Sequence, residues 1–139
     1  MSASPPASSP PPFLLPGQQS SLASHLQMVT AKYPKRDVLV YVGASWCEPC
    51  RYFHQAVVDG VVAQQLAGFT FVEYDVSEHR DALAAAGYGS KLVPLFVYPD
   101  EDGRASSFRI EGSVKGTTAV ARNLVPRLLQ LKQRRRRSR

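Results

Sequence analysis

At 139 residues and 44% hydrophobic content, the chain has the size and apolar share of one globular domain with its own core. Its net charge of +6 belongs to a tail: Lys132, Arg134, Arg135, Arg136, Arg137 and Arg139 close the sequence, and the remaining basic and acidic side chains balance. Those totals argue against a large field for specific nucleic-acid binding, against a membrane span, for which about 18 consecutive apolar residues are needed, and against a disulfide-stapled scaffold, since only two cysteines are present.

Residues 1 to 18 hold Pro5, Pro6, Pro10, Pro11, Pro12 and Pro16 and no charged side chain. Such a composition buries too little surface to offset its ordering cost, so a disordered Pro/Ser-rich arm is expected there, with Pro10 to Pro16 able to meet a proline-reading domain. Leu22, Leu26, Val29 and Tyr33 recur at helical spacing, with Ser20 or Ser21 to cap the start and Pro34 to end it. Asp37 to Gly43 is a β-branched run suited to a buried strand. Behind it Cys47 and Cys50 open a second helical pattern, carried by Phe53, Val57, Val61 and Leu66 and weakened at Asp59-Gly60.

A strand follows at Phe69 to Val76, then a short Ala-rich helix from Ser77 to Ala86 stopped by Gly87. Leu92 to Tyr98 and Ala105 to Ile110 read as strands joined by the turn Asp100-Glu101-Asp102-Gly103. Val120, Leu124, Leu128 and Leu131 mark a last helix that starts near Thr117 and is kinked or divided by Pro126. Helices alternating with buried strands imply parallel pairing, with an antiparallel edge from the late two-strand step. The expected fold class is therefore α/β: a mixed central sheet of about four strands with helices on both faces. The domain is expected over residues 19–131, followed by a disordered basic tail at 132–139.

The chemistry sits where the first buried strand feeds a helix, a usual place for active sites in such sheets. Cys47 falls at the first helical turn, where unpaired backbone N–H groups and the positive dipole end favour a thiolate. Cys50 lies one turn on, within reach of any mixed disulfide that Cys47 forms. Pro49 suits this turn because its missing N–H would have had no partner. Glu48 between the thiols opposes the dipole and raises the pKa of Cys47, which leans the pair towards reductant.

Trp46-Cys47-Glu48-Pro49-Cys50 after an apolar strand, Val93-Pro94 opening a later strand, Asp102-Gly103 and Glu111-Gly112 together resemble the thioredoxin superfamily over residues 20 to 131. Cys50-Arg51-Tyr52-Phe53 is similar to the thioredoxin-like domains attached to membrane reductant transporters, and Cys-Glu-Pro-Cys to the reductases of cytochrome c maturation. The resemblance implies a three-layer α/β/α sandwich and a thiol–disulfide oxidoreductase that reduces protein disulfides. Cys47 would attack and Cys50 resolve. Trp46 would be an apolar wall, Pro94 a cis-proline beside the pair, Val93 a backbone edge for a substrate strand and Gly112 the space for it. A disulfide-containing protein and an upstream thiol reductant are the implied partners, the protein acting as a monomer without a cofactor beyond its own disulfide.

One departure stands out. The superfamily usually places a buried aspartate six residues before the first cysteine, where this chain has Tyr41, and the lysine that accompanies it on the next strand has no evident counterpart in Phe69 to Val72. Proton handling then falls to Glu48, to bulk water or to another group, with Glu48 between the cysteines the best remaining candidate.

Other readings weigh less. A zinc site would need His25, His54 or His79 to join a single CxxC at spacings unlike those of known fingers, and Arg51 stands where haem attachment requires histidine. His54 reads as a helix-surface side chain. Arg134 to Arg137 leaves weak contact with an anionic surface open, with a solvated tail as the plainer reading. A thioredoxin-fold binding or chaperone module without redox turnover is the alternative function, weakened by the intact pair. Without a recognisable signal segment, a cytoplasmic location is expected, or a periplasmic one if the start is misassigned.

Overall fold

The computed structural model describes residues 12–17, 21–111 and 120–138. Its central strand is β2 (Asp37–Gly43), and the burial of β2 explains its composition: Val38 through Gly43 are all buried. Alternate side chains face opposite layers. Leu39 and Tyr41 join Phe53, Phe71, Phe96, Leu124 and Leu128 in one cluster, whereas Val38, Val40 and Val42 join Leu22, Leu26, Leu83 and Val97 in the other.

These clusters are the two interfaces of a three-layer sandwich. On one face lie α2 (Glu48–Val58) and α4 (Val125–Arg137); on the other lie α1 (Leu22–Lys32) and α3 (Arg80–Ala85). The remaining strands are β1 (Phe13–Leu14), β3 (Phe69–Asp75), β4 (Leu95–Pro99) and β5 (Ala105–Glu111), in the order β1-β3-β2-β4-β5. β3 runs parallel to β1 and β2, while β4 is antiparallel to β2 and to β5. The antiparallel part of the sheet thus begins one strand earlier than the hairpin at the edge.

Two expected disordered segments are partly ordered. Phe13 and Leu14 form a fifth strand opposite Phe71 and Val72, because the Phe13 ring packs on Tyr41, Phe53 and Phe71 and the Pro12 carbonyl accepts the Phe71 N–H. At the other end α4 continues to Arg137. Lys132 Nζ meets Asp37 Oδ2 at 3.0 Å, and the Arg135 guanidinium lies 4.4 Å from the centre of the Tyr98 ring. Arginine and lysine are good helix formers, and positive charge in the last turn suits the helix dipole.

Other boundaries shift for local reasons. Ser21 caps α1, its side chain accepting from the Ser24 N–H at 3.1 Å. α2 stops at Val58 because Gly60 takes a positive φ of 77°; helical phase is lost there, so Val61 is exposed and Val62 buried. Gly87, also at positive φ, follows α3. β4 starts at Leu95, after a bend through residues 91–94. Pro126 stands in the first turn of α4, directly after the π-helical segment Val120–Leu124, so the helical stretch changes character at the proline. The expected start near Thr117 lies outside the described residues.

Candidate active site

β2 ends at Gly43, a turn passes through Ala44 to Trp46, and Cys47 caps α2. Its backbone is extended, φ −91° and ψ 111°, so Sγ folds back over the helix start and accepts the Cys50 N–H at 3.2 Å. This is the position at which a helix terminus stabilises negative charge on sulfur. Cys47 and Cys50 are joined by a disulfide, with Cα atoms 5.3 Å apart. Both are buried, packed with Ala44 and touched by Val76 and Val93.

The two sulfurs have different surroundings. Cys47 Sγ lies 3.7 Å from the Val93 carbonyl oxygen, and the Val93–Pro94 peptide bond is cis. Trp46 beside it is 68% exposed and Leu92 is 61% exposed, so the rim around Cys47 is apolar and open. Gly112, the expected space for a substrate, lies outside the described residues.

Cys50 faces inward. The Tyr41 hydroxyl donates to the Cys50 carbonyl oxygen at 3.2 Å. Gly43 makes that approach feasible, since a Cβ there would come within 2.8 Å of the Tyr41 oxygen. Burial, with the Glu73 charge adding to it, holds the Tyr41 phenol well above its ordinary pKa. Tyr41 therefore stays protonated and donates; it cannot replace an aspartate as proton acceptor.

Glu48 is turned elsewhere. Its carboxylate accepts the Tyr52 hydroxyl at 2.8 Å on the exposed side of α2, a bond that raises the Tyr52 pKa. It is not among the residues lining the cleft beside Cys50. That cleft, about 680 Å³, is bounded by Tyr41, Cys50, His54 and Glu73, with Leu15, Pro16 and Gly17 of the arm along one side. Glu73 pairs with Tyr41 across β2 and β3. His54 Nε2 stands 3.6 Å from Glu73 Oε1, and the Phe13 ring stacks on the imidazole with centroids 4.3 Å apart and planes 5° from parallel.

His54 and Glu73 thus enter the site although the sequence marked neither for it. The four-residue step from Cys50 to His54 was a usable signal, because such a pair shares a helix face. Nothing in one strand alone marks Glu73, which gains its meaning only from the register with Tyr41. Among the described residues no group of three or more His, Cys, Asp or Glu could hold a metal ion. His79 instead accepts the Asp75 N–H through Nδ1 at 3.0 Å, and His25 is buried on α1.

The comparisons agree with this geometry. The thioredoxin-like family profile matches residues 21–100, and the chain belongs to that family. The rice (Oryza sativa subsp. indica) protein thioredoxin H-type is 33% identical over 72 residues, 52% of this chain and 56% of its own length. The chain thus matches little more than half of that curated relative. Among solved structures, Fasciola hepatica thioredoxin superposes with a TM-score of 0.50 at 25% identity, covering 78% of this chain and 98% of its own. A mutant thioredoxin from Halobacterium salinarum NRC-1 gives 0.53 at 26% identity, with 84% and 90% covered. Trichomonas vaginalis thioredoxin, at 21% identity and 0.54 over 86% and 99%, shares the fold.

Proposed function

We propose that the protein is a thiol–disulfide oxidoreductase that reduces disulfides in other proteins. The observation that carries this reading is Cys47 Sγ at the cap of α2, bonded to Cys50 and accepting its N–H at 3.2 Å. In the reduced protein the Cys47 thiolate attacks one sulfur of a substrate disulfide. That bond breaks, one substrate thiolate leaves, and a mixed disulfide forms on Cys47. Cys50, deprotonated, attacks Cys47 Sγ; the mixed disulfide breaks, the second substrate thiolate leaves, and the Cys47–Cys50 bond closes. Two electrons pass to the substrate, both of whose thiolates take up protons. An upstream dithiol returns two electrons and two protons to the pair.

The open rim supports a protein substrate. Trp46 and Leu92 offer exposed apolar surface, Pro49 sits in the first turn of α2, and the Val93 backbone before β4 can pair with an extended segment whose sulfur then meets Cys47. Insulin reduction driven by dithiothreitol tests the reading. Wild type should accelerate it and Cys47→Ser should fall to the uncatalysed rate; equal rates would instead support a redox-silent binding or chaperone module.

A further inference from the structure

We propose that His54 takes the proton of Cys50 in the resolving step, held for that purpose by Glu73 and Phe13. The inference rests on the oxidoreductase reading and adds the missing proton route to it. Cys50 must lose its proton before it can attack, and it is buried on a side of the site where Tyr41 only donates. His54 stands four residues further along α2, hence on the same helix face, and lines the same cleft.

Three features favour the imidazole. It is the side-chain type that exchanges protons near neutral pH without assistance. Glu73 lies 3.6 Å from its Nε2 and stabilises the imidazolium once formed, as a carboxylate beside a histidine base does. Phe13 stacks flat on the ring and limits its rotation. The side chains of His54 and Glu73 are 42% and 32% exposed, so the proton can leave to solvent afterwards.

The other groups facing the cleft sit at the end of β3 and on the turn after it, or offer only donors. Asp75 Oδ1 accepts the Ser77 and Glu78 N–H groups, and His79 Nδ1 accepts the Asp75 N–H, so both are engaged within their own turn. Arg51 and Glu78 also line it; the arginine offers only donors, and the Glu78 carboxylate belongs to the turn after β3 rather than to the face of α2. In the step itself the Cys50 S–H bond breaks, its proton passes through solvent in the cleft to the imidazole, and the sulfur lone pair attacks Cys47 Sγ, so that the mixed disulfide breaks and the second substrate thiolate leaves. Phe13 and Glu73 are positioning residues in this scheme.

The two thiols can be followed separately by mixing reduced protein with an equimolar amount of 5,5′-dithiobis(2-nitrobenzoate) in a stopped-flow instrument. Attack by Cys47 releases one thionitrobenzoate, and resolution by Cys50 releases the second. In His54→Gln the first phase should match wild type, while the second slows about tenfold or more near pH 7 and converges with wild type as the solution becomes alkaline enough to deprotonate Cys50 directly. In Glu73→Gln the second phase should also slow several-fold near pH 7, because the imidazolium formed in the step has lost its carboxylate partner.

Equal second phases for His54→Gln and wild type at every pH would overturn the proposal. So would a slowing of the same size at every pH, the mark of a merely structural role, or a slowing confined to Glu48→Gln. A missing first phase in the wild-type protein would instead overturn the oxidoreductase reading on which the proposal stands.

Discussion

The two sulfurs of one disulfide, three residues apart, face different worlds. On the Cys47 side are the exposed Trp46 and Leu92 and the Val93 carbonyl, a surface with apolar area and backbone to offer, with Arg80 and Lys91 in the groove beside it. On the Cys50 side are Tyr41, His54 and Glu73 in a cleft partly closed by the arm. In the scheme proposed above, this difference lets one helix turn divide the labour: the cap position would meet the partner, and the position one turn inside would meet the groups that move a proton.

Damage to the Cys50 side should be the costlier in stability. Phe53 of α2 is fully buried and packs on Phe13, Tyr41, Phe71 and Phe96, all on this side of the sheet. Phe53→Ala should cost about 3–5 kcal/mol in urea unfolding and loosen the arm with it. A cost below about 1 kcal/mol would mean that the aromatic cluster does not support the cleft.

Trp46→Ala makes the opposite cut. With its ring largely in solvent, stability should change by no more than about 0.5 kcal/mol, whereas KM for a protein disulfide should rise several-fold with kcat nearly kept. A fall in kcat with KM unchanged would detach Trp46 from substrate docking.

Tyr41→Phe is the smallest change and separates donor from base. Loss of the bond to the Cys50 carbonyl should cost about 1 kcal/mol at neutral pH. A phenol whose pKa is higher folded than unfolded stabilises the fold fully below about pH 10, and that contribution fades as pH rises towards the folded value. The variant should therefore show a flatter alkaline loss of thermal stability than wild type. Its insulin turnover should keep the wild-type pH profile; a displaced profile would make Tyr41 a proton carrier after all.

What could be read from sequence was whatever depends on short spacings. The run Val38 to Gly43, the cap at Cys47, the thiol one turn on and the break at Gly60 each declare themselves within a few residues. Phe13-Leu14 did not, because two apolar residues among prolines become a strand only when Phe71 and Val72 lie alongside them. The Arg-rich end looked like solvated charge, although Asp37 and Tyr98 anchor it from distant strands. His54 and Glu73 are ordinary surface residues in their own elements; the fold makes a pair of them by setting α2 against β3, while Glu48, the residue that sequence favoured, faces Tyr52.

The division between the thiols is tested most directly by trapping the covalent intermediate. Each reduced single-cysteine variant, Cys50→Ser and Cys47→Ser, would be mixed with oxidised insulin and examined by mass spectrometry without reductant. Cys50→Ser should accumulate a mixed disulfide through Cys47 that dithiothreitol reverses, and Cys47→Ser should accumulate little or none. Comparable adducts on both variants, or an adduct through Cys50 alone, would contradict the assignment of Cys47 to the substrate and Cys50 to resolution.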